Sequence, residues 1–118
     1  IVLGKILETK DSFSRACLIT NSACRLAVAI QNESRAIGVT EGELGLSVKI
    51  NFVSQNEKID PGMIIVTSGL ERSIPAGLVL GRVSRVNNKS NDVWQEIGVE
   101  PLVDLKKFNI VSVIRPEN

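Results

Sequence analysis

The sequence of 118 residues contains no histidine and no tyrosine, and its only aromatic residues are three phenylalanines and one tryptophan. Histidine is the commonest general base and the commonest metal ligand, so its absence excludes the usual catalytic triads and most zinc sites. Four aromatic residues are also too few to form the stacking platform of a protein that binds single-stranded nucleic acid. These absences argue against a histidine-based enzyme and against a nucleic-acid partner.

An excess of one charge is missing as well, since 14 Lys and Arg against 13 Asp and Glu leave a net charge of +1. A nucleic-acid-binding domain of this size usually has a clear basic excess. No apolar run approaches the roughly 18 residues that a membrane-spanning helix requires. Apolar residues still make up 43% of the sequence, which is enough to build a core. Because the sequence begins with Ile1 rather than Met, we expect a fragment or a processed product.

Cysteine is scarce, and the spacing of Cys17 and Cys24 matches neither a zinc knuckle nor a thioredoxin-like pair. A disulfide requires the two Cα atoms to lie within about 7 Å of each other. A tight hairpin that turns at Asn21 and Ser22 would not place Cys17 opposite Cys24. We therefore expect two unpaired cysteines that pack as small apolar residues, with a disulfide as the less favoured alternative.

Residues that branch at Cβ are abundant, since Val and Ile total 27 against 17 for Leu and Ala. Such residues favour strands over helices. In residues 46–52, Leu46, Val48, Ile50 and Phe52 alternate with polar residues, which predicts a strand with one buried face. The other predicted strands are 2–8, 15–20, 25–31, 35–39, 63–68, 79–86, 93–100 and 110–114.

Turn-forming residues separate these segments about every ten residues, at 10–12, 21–22, 31–34, 41–42, 60–62, 75–77 and 87–92. Short strands at even spacing predict an all-β fold, namely a small antiparallel barrel or sandwich of about eight or nine strands. We expect a single domain over residues 1–118. The one helical prediction is a short turn over 104–109, which Asp104 can cap.

Ser68 is the candidate nucleophile, because it follows an apolar strand in the sequence Thr67-Ser68-Gly69. Without histidine, its hydroxyl would need a lysine as base, and nothing in the sequence places a lysine beside it. The favoured interpretation is a strand-to-turn transition in which Ser68 and Gly69 satisfy backbone groups. A β-barrel serine hydrolase with a Ser–Lys dyad is the alternative, and a fluorophosphonate probe would separate the two.

Other candidate sites are weak. Glu41 and Glu43 form the densest pair of acids, and two acids on a loop are usually just solvated. Residues 77–81 lack the Gly-Lys-Ser/Thr ending of a phosphate-binding loop. The residues themselves therefore predict a binding or structural β domain without metal or cofactor.

The stretch from Asp60 to Val83 resembles the signature of the rod shape-determining protein MreC family. In that signature a turn precedes an apolar strand ending in Thr-Ser-Gly, and a Pro-x-Gly turn and a Gly-x-Val strand follow. The matching residues are Gly62, Val66, Thr67, Ser68, Gly69, Leu70, Ile74, Pro75, Gly77, Gly81 and Val83. Weaker matches at 3–6, 18–24, 94–101 and 104–111, including Pro101, extend the resemblance over nearly the whole chain. Met63 departs from the family, which has an acid there.

The resemblance implies a structural role for the signature glycines and Pro75, because Gly and Pro fix the conformation of tight turns. We expect the loop that follows Thr67-Ser68-Gly69 to be exposed and to be the candidate partner-binding segment, since loops on rigid scaffolds often carry function. The partner-binding candidates are Glu71, Arg72, Ser73 and Ile74.

Proteins of this family are single-pass inner-membrane proteins with a periplasmic coiled coil and a β module of two small barrels. The resemblance implies that this chain is mainly the second barrel, without the membrane helix and the coiled coil. It also implies a non-catalytic scaffold of cell-wall elongation that maintains rod shape. The implied partners are the elongation-specific penicillin-binding transpeptidase, MreD, RodA and MreB, with self-association as a further possibility and no cofactor.

Overall fold

The computed structural model describes residues 1–88, 92–102, 107 and 110–114. Their eight strands are β1 (Gly4–Thr9), β2 (Ser14–Leu18), β3 (Ala27–Ile30), β4 (Ile37–Glu43), β5 (Ser47–Ser54), β6 (Ile64–Thr67), β7 (Val79–Asn87) and β8 (Trp94–Pro101). Strands β3 to β8 close into a barrel in the order β3-β4-β5-β8-β7-β6, with antiparallel neighbours throughout. Strands β1 and β2 form a separate two-stranded sheet. The prediction of an all-β fold with about eight or nine strands is confirmed.

Aliphatic side chains fill the inside of the barrel, because alternate residues of each strand point to the same face. In β3, for example, Val28 and Ile30 are fully buried on the inner face. The complete cluster is Ile19, Leu26, Val28, Ile30, Ala36, Val48, Ile50, Val53, Ile59, Ile65, Leu80, Val83, Ile97 and Val99. Burying one such side chain contributes roughly 1.5–3 kcal/mol, so this core is the main source of stability.

Strand β5 departs from the predicted alternation. Val48 and Ile50 point inward as expected, but Leu46 and Phe52 are exposed. The pairing of β5 with β8 changes register between Ile50 and Val53, and Phe52 has a φ of 64°. Such a β-bulge adds one residue to a strand, so that Val53 takes the next inward position in place of Phe52.

Two further predictions near the strand ends were wrong. The turn expected at 41–42 lies within β4, and the chain reverses instead at Leu44 and Gly45, with φ values of 55° and 71°. Positive φ at both central residues matches the twist of a tight hairpin. Residues 110–114, expected to form a strand, have no regular secondary structure. The helical turn expected over 104–109 lies, apart from Lys107, outside the described residues.

Cys17 and Cys24 form a disulfide with a Cα–Cα distance of 5.5 Å, so the expectation of two unpaired cysteines was wrong. Strand β2 does not continue into a hairpin after Leu18. Two successive turns follow instead, in which Asn21 N donates to Leu18 O at 2.9 Å and Cys24 N donates to Asn21 O at 3.0 Å. These turns return the chain to β2 within seven residues and place the two cysteines side by side.

Hydrogen bonds beyond the disulfide attach the β1–β2 sheet to the barrel. Val2 N donates to Val79 O of β7 at 2.8 Å, whereas the bond from Ile19 N to Leu3 O, at 3.0 Å, extends the pairing of β1 with β2. Val2 also packs against the core. Among the described residues, no helix has the length and apolarity needed to cross a membrane.

Candidate functional site

Thr67 is the last residue of β6 and is fully buried. Its hydrogen bonds close the signature loop, which comprises residues 68–78. Its backbone N donates to Leu78 O at 2.8 Å, and its carbonyl accepts from Gly77 N at 2.9 Å. Its hydroxyl donates to Pro75 O at 2.6 Å and accepts from Leu78 N at 2.9 Å. One threonine therefore satisfies several backbone groups of the Pro75–Leu78 turn, which explains why threonine stands at this position.

Gly69 and Gly77 are required in the same loop for different reasons. Both have positive φ, at 81° and 90°, a conformation that residues with a Cβ rarely adopt. A Cβ on Gly69 would also lie 2.8 Å from the Cβ of Ala76, whereas a Cβ on Gly77 would meet open space. Gly69 is therefore required both by its positive φ and by the close approach of Ala76, whereas Gly77 is required by its positive φ alone.

Ser68 serves the backbone of the loop. It is 6% exposed, and its hydroxyl accepts a hydrogen bond from Leu70 N at 3.1 Å. Its own N donates to Ala27 O at 3.1 Å, and its carbonyl accepts from the Arg35 guanidinium at 3.2 Å. These contacts agree with the interpretation that Ser68 satisfies backbone groups at a strand-to-turn transition.

The other signature residues occupy turns and ladder positions around the barrel. Gly62 lies in the turn before β6, and its N donates to Val83 O at 2.8 Å. Gly81 pairs with Pro101 where β7 meets the end of β8. A Cβ on Gly81 would overlap the carbonyl oxygen of Glu100, so glycine lets the two strands approach closely.

Glu71, one of the four partner-binding candidates, connects three parts of the molecule. One carboxylate oxygen accepts from Ala27 N at the start of β3, at 2.7 Å. The other pairs with the Lys5 ammonium on β1, at 3.2 Å. Glu71 therefore ties the loop to the barrel and to the β1–β2 hairpin, a role that the sequence did not indicate.

The remaining candidates divide between surface and core. Arg72 and Ser73 are exposed, whereas Ile74 is half-buried and packs against the core. The exposed large apolar residue of the loop is Leu70, at 68%. The sequence predicted an exposed loop over 70–74, but the four named partner-binding candidates did not include Leu70.

A groove of about 710 Å³ lies beside this loop. The hairpin forms one side, with Leu3, Ile6 and Leu18 among its lining residues, and residues 110–114 line another part. Ile74 and Pro75 belong to both the loop and the groove. A rigid loop next to a largely apolar groove suits the recognition of another protein.

A family model described as "Rod shape-determining protein MreC, barrel core" matches residues 1–115. The chain belongs to the MreC family. It is 25% identical over 118 residues to the cell shape-determining protein MreC of Listeria monocytogenes, covering 97% of this chain and 40% of that protein. Its identity to the MreC of Haemophilus influenzae is also 25%, covering 99% and 33%. The chain thus spans well under half the length of these relatives.

Solved MreC structures share the fold. The MreC of Listeria monocytogenes superposes with a TM-score of 0.76 at 22% identity, covering 87% of this chain and 51% of that one. The major periplasmic domain of "the cell shape-determining filament MreC" gives 0.74 at 22%, covering 87% and 65%. A chain from the complex between penicillin-binding protein PBP2 and MreC of Helicobacter pylori gives 0.67 at 19%, covering 77% and 56%. The resemblance noticed in the sequence is confirmed.

Proposed function

We propose that this MreC-family chain is a non-catalytic, extracytoplasmic scaffold of cell-wall elongation that maintains rod shape by binding a penicillin-binding transpeptidase. One observation carries the proposal. The chain has the fold of a chain in the solved complex between PBP2 and MreC, and the family model covers 115 of its 118 residues. In that role the barrel is a rigid support, and its loops and grooves are the contact surfaces.

The contacts of the signature residues support a scaffold rather than a hydrolase. The Ser68 hydroxyl is engaged with Leu70 N, and no described hydrogen bond joins it to a lysine. A Ser–Lys dyad needs a lysine beside the nucleophile. The serine hydrolase alternative therefore gains no support from the described contacts.

The Cys17–Cys24 disulfide supports an extracytoplasmic location, because disulfides persist mainly in oxidising compartments. The major periplasmic domain of the cell shape-determining filament MreC shares the fold. We place this domain in the periplasm of a protein with a single inner-membrane anchor. The closed barrel would be the second barrel of the module, and the β1–β2 hairpin would belong to the strands that complete it.

The partner surface that we propose comprises the exposed part of the loop, Leu70 and Arg72, and the neighbouring groove. Arginine and large apolar residues commonly anchor interfaces. MreD, RodA and MreB are further proposed partners of the whole protein. Self-association is also proposed, and the description of one relative as a filament supports it.

A binding titration with the ectodomain of the transpeptidase tests the proposal. Leu70→Ser combined with Arg72→Glu should weaken binding by more than tenfold, or about 1.4 kcal/mol, without lowering Tm. We leave Ile74 intact because it packs against the core. The matched control combines Leu46→Ser with Arg85→Glu, which changes an exposed leucine and an exposed arginine that do not line the groove.

Failure can be assigned to separate parts of the proposal. If the unmodified chain does not bind the ectodomain, the scaffold proposal is wrong for this domain. If it binds and the Leu70/Arg72 variant binds equally well, only the assignment of the loop is wrong. Equal losses in the variant and its control would show a general charge effect and would also remove the loop from the interface.

A further inference from the structure

We propose that Phe52 and Trp94 form a second docking site, which binds an arginine side chain of a partner protein. This aromatic corner lies on the outer face of β5 and β8, on other strands than the signature loop between β6 and β7. The proposal goes beyond the scaffold function, because it names a separate surface and the chemistry that would recognise it.

The corner consists of two half-exposed rings. The ring centroids of Phe52 and Trp94 are 6.0 Å apart, and the ring planes are perpendicular. Their exposures are 51% and 50%. Half of the four aromatic residues in the chain are therefore paired on the surface rather than used in the core. Perpendicular rings form two walls of a box, and the face of an aromatic ring attracts a cation.

The backbone is distorted to produce this arrangement. The φ of 64° at Phe52 lies in a region that a bulky residue rarely adopts, and the bulge in β5 turns its ring outward. In a regular strand Phe52 would share the inner face with Val48 and Ile50. Backbone strain of this kind concentrates at functional sites. At a position without a function, a glycine or an asparagine would adopt this φ with less strain than a phenylalanine.

The surroundings of the rings select for positive charge. The corner borders a hollow of about 240 Å³ that Asn51, Asn87, Asp92 and Glu96 also line. Within the described part of the chain, no lysine or arginine lines this hollow. Two carboxylates beside two aromatic faces are complementary to a cation and repel an anionic ligand.

The ammonium that pairs with Glu96 does not neutralise this negative charge. Lys49 lies 3.8 Å from Glu96, but it also lies 3.7 Å from Glu41 and 3.9 Å from Glu43. Among the described ion pairs, Arg25 takes part in one, with Glu41 at 3.8 Å. Three carboxylates therefore share Lys49, so that Glu96 remains available to a further cation.

The fold also restricts how a partner can enter. Strands β5 and β8 are paired with each other inside a closed barrel, so no strand can be added between them. Recognition at this face must use side chains. A guanidinium stacks flat on an aromatic ring while its N–H groups donate to carboxylate or amide oxygens, which a compact ammonium does less well. The corner offers both kinds of contact, and we therefore assign it to arginine.

Trp94 is the single tryptophan of the chain, so its fluorescence reports directly on the corner. The test titrates the 118-residue chain with the blocked peptide acetyl-Gly-Ser-Arg-Ser-Gly-amide. The control peptide carries citrulline, which has nearly the shape of arginine without its charge. We expect a saturable change with the arginine peptide and at least about tenfold weaker binding of the citrulline peptide.

Three results would overturn the assignment. One is the absence of a saturable response to the arginine peptide, and another is equal binding of both peptides. The third is tighter binding of the neutral sugar tetramer chitotetraose than of the arginine peptide, which would make the corner a glycan site.

Substitutions separate binding from folding. Asp92→Asn combined with Glu96→Gln should weaken arginine binding at least about tenfold. Glu8→Gln on β1, which also removes a carboxylate, should leave it unchanged. Phe52→Gly and Phe52→Asn both relieve the positive φ, so we expect an unchanged or higher Tm together with loss of peptide binding. Retained binding in either Phe52 variant would overturn the proposal.

Discussion

All six strands of the barrel bury residues in the closed structure, whereas the β1–β2 hairpin has no fully buried residue in either strand. The hairpin is held by individual links instead, namely the Cys17–Cys24 disulfide, the Lys5–Glu71 pair and the backbone bond from Val2 to Val79. A two-stranded hairpin without a core is marginally stable at best. The difference teaches that stability here is unevenly distributed, with a cooperative barrel and a hairpin that depends on its attachments.

The largest expected effect concerns the barrel. Gly69→Val should destabilise by about 3 kcal/mol or more, since it combines a positive φ with a clash against Ala76. Gly77→Val, with the same φ problem and open space, should cost about half as much. Chemical denaturation of both variants measures the difference. Equal losses would mean that the close approach at Gly69 contributes nothing.

Removing the disulfide tests the hairpin. Cys17→Ser with Cys24→Ser should cost about 2 kcal/mol, as expected for a short loop. The loss should be local. Amide hydrogen exchange should accelerate in β1 and β2 and remain slow in β3 to β8. A uniform acceleration over all strands would show that the hairpin and the barrel unfold as one unit.

Glu71 connects the two regions, and two substitutions distinguish its links. Glu71→Ala leaves Ala27 N without its acceptor and should cost about 1–2 kcal/mol. Glu71→Gln keeps an oxygen for Ala27 N and loses only the ion pair with Lys5, which is worth about 0.5 kcal/mol at this exposure. Thermal denaturation should therefore rank alanine below glutamine. Equal losses in the two variants would make the ion pair the main link, because both substitutions remove it.

The smallest effect is expected at Ser68. Ser68→Ala removes one acceptor for Leu70 N and should cost less than about 1 kcal/mol, while binding of the transpeptidase ectodomain is unchanged. A fluorophosphonate probe should label neither the original chain nor the variant. Labelling that disappears in the variant would revive the serine hydrolase alternative.

The alternation of apolar and polar residues, together with the turn-forming residues, was sufficient to predict most of the barrel. Buried residues such as Val28 and Ile30 stand at every second position of their strand. The bulge at Phe52 could not be predicted in this way, since an inserted residue leaves the local pattern of apolar and polar residues intact. The Cys17–Cys24 bond depends on two successive turns that resemble a hairpin turn in sequence.

The candidate site was predictable as a segment and not residue by residue. The signature located the loop, and its glycines have the positive φ values that turns require. Whether Leu70 or Ile74 faces solvent depends on how the loop packs over the barrel. The link from Glu71 to Ala27 N joins residues 44 positions apart, and no local pattern encodes it.

The position of β8 in the barrel also determines the order in which the parts of the chain can fold. It is the last strand of the barrel in sequence, yet it lies between β5 and β7. A growing chain that lacks β8 therefore presents two open strand edges, one on β5 and one on β7, whereas the cysteines, seven residues apart, can already meet. Closing the barrel requires contacts of long sequence separation, such as Val48 with Val99, and these form slowly. A nascent chain is therefore most prone to mispairing just before β8 emerges.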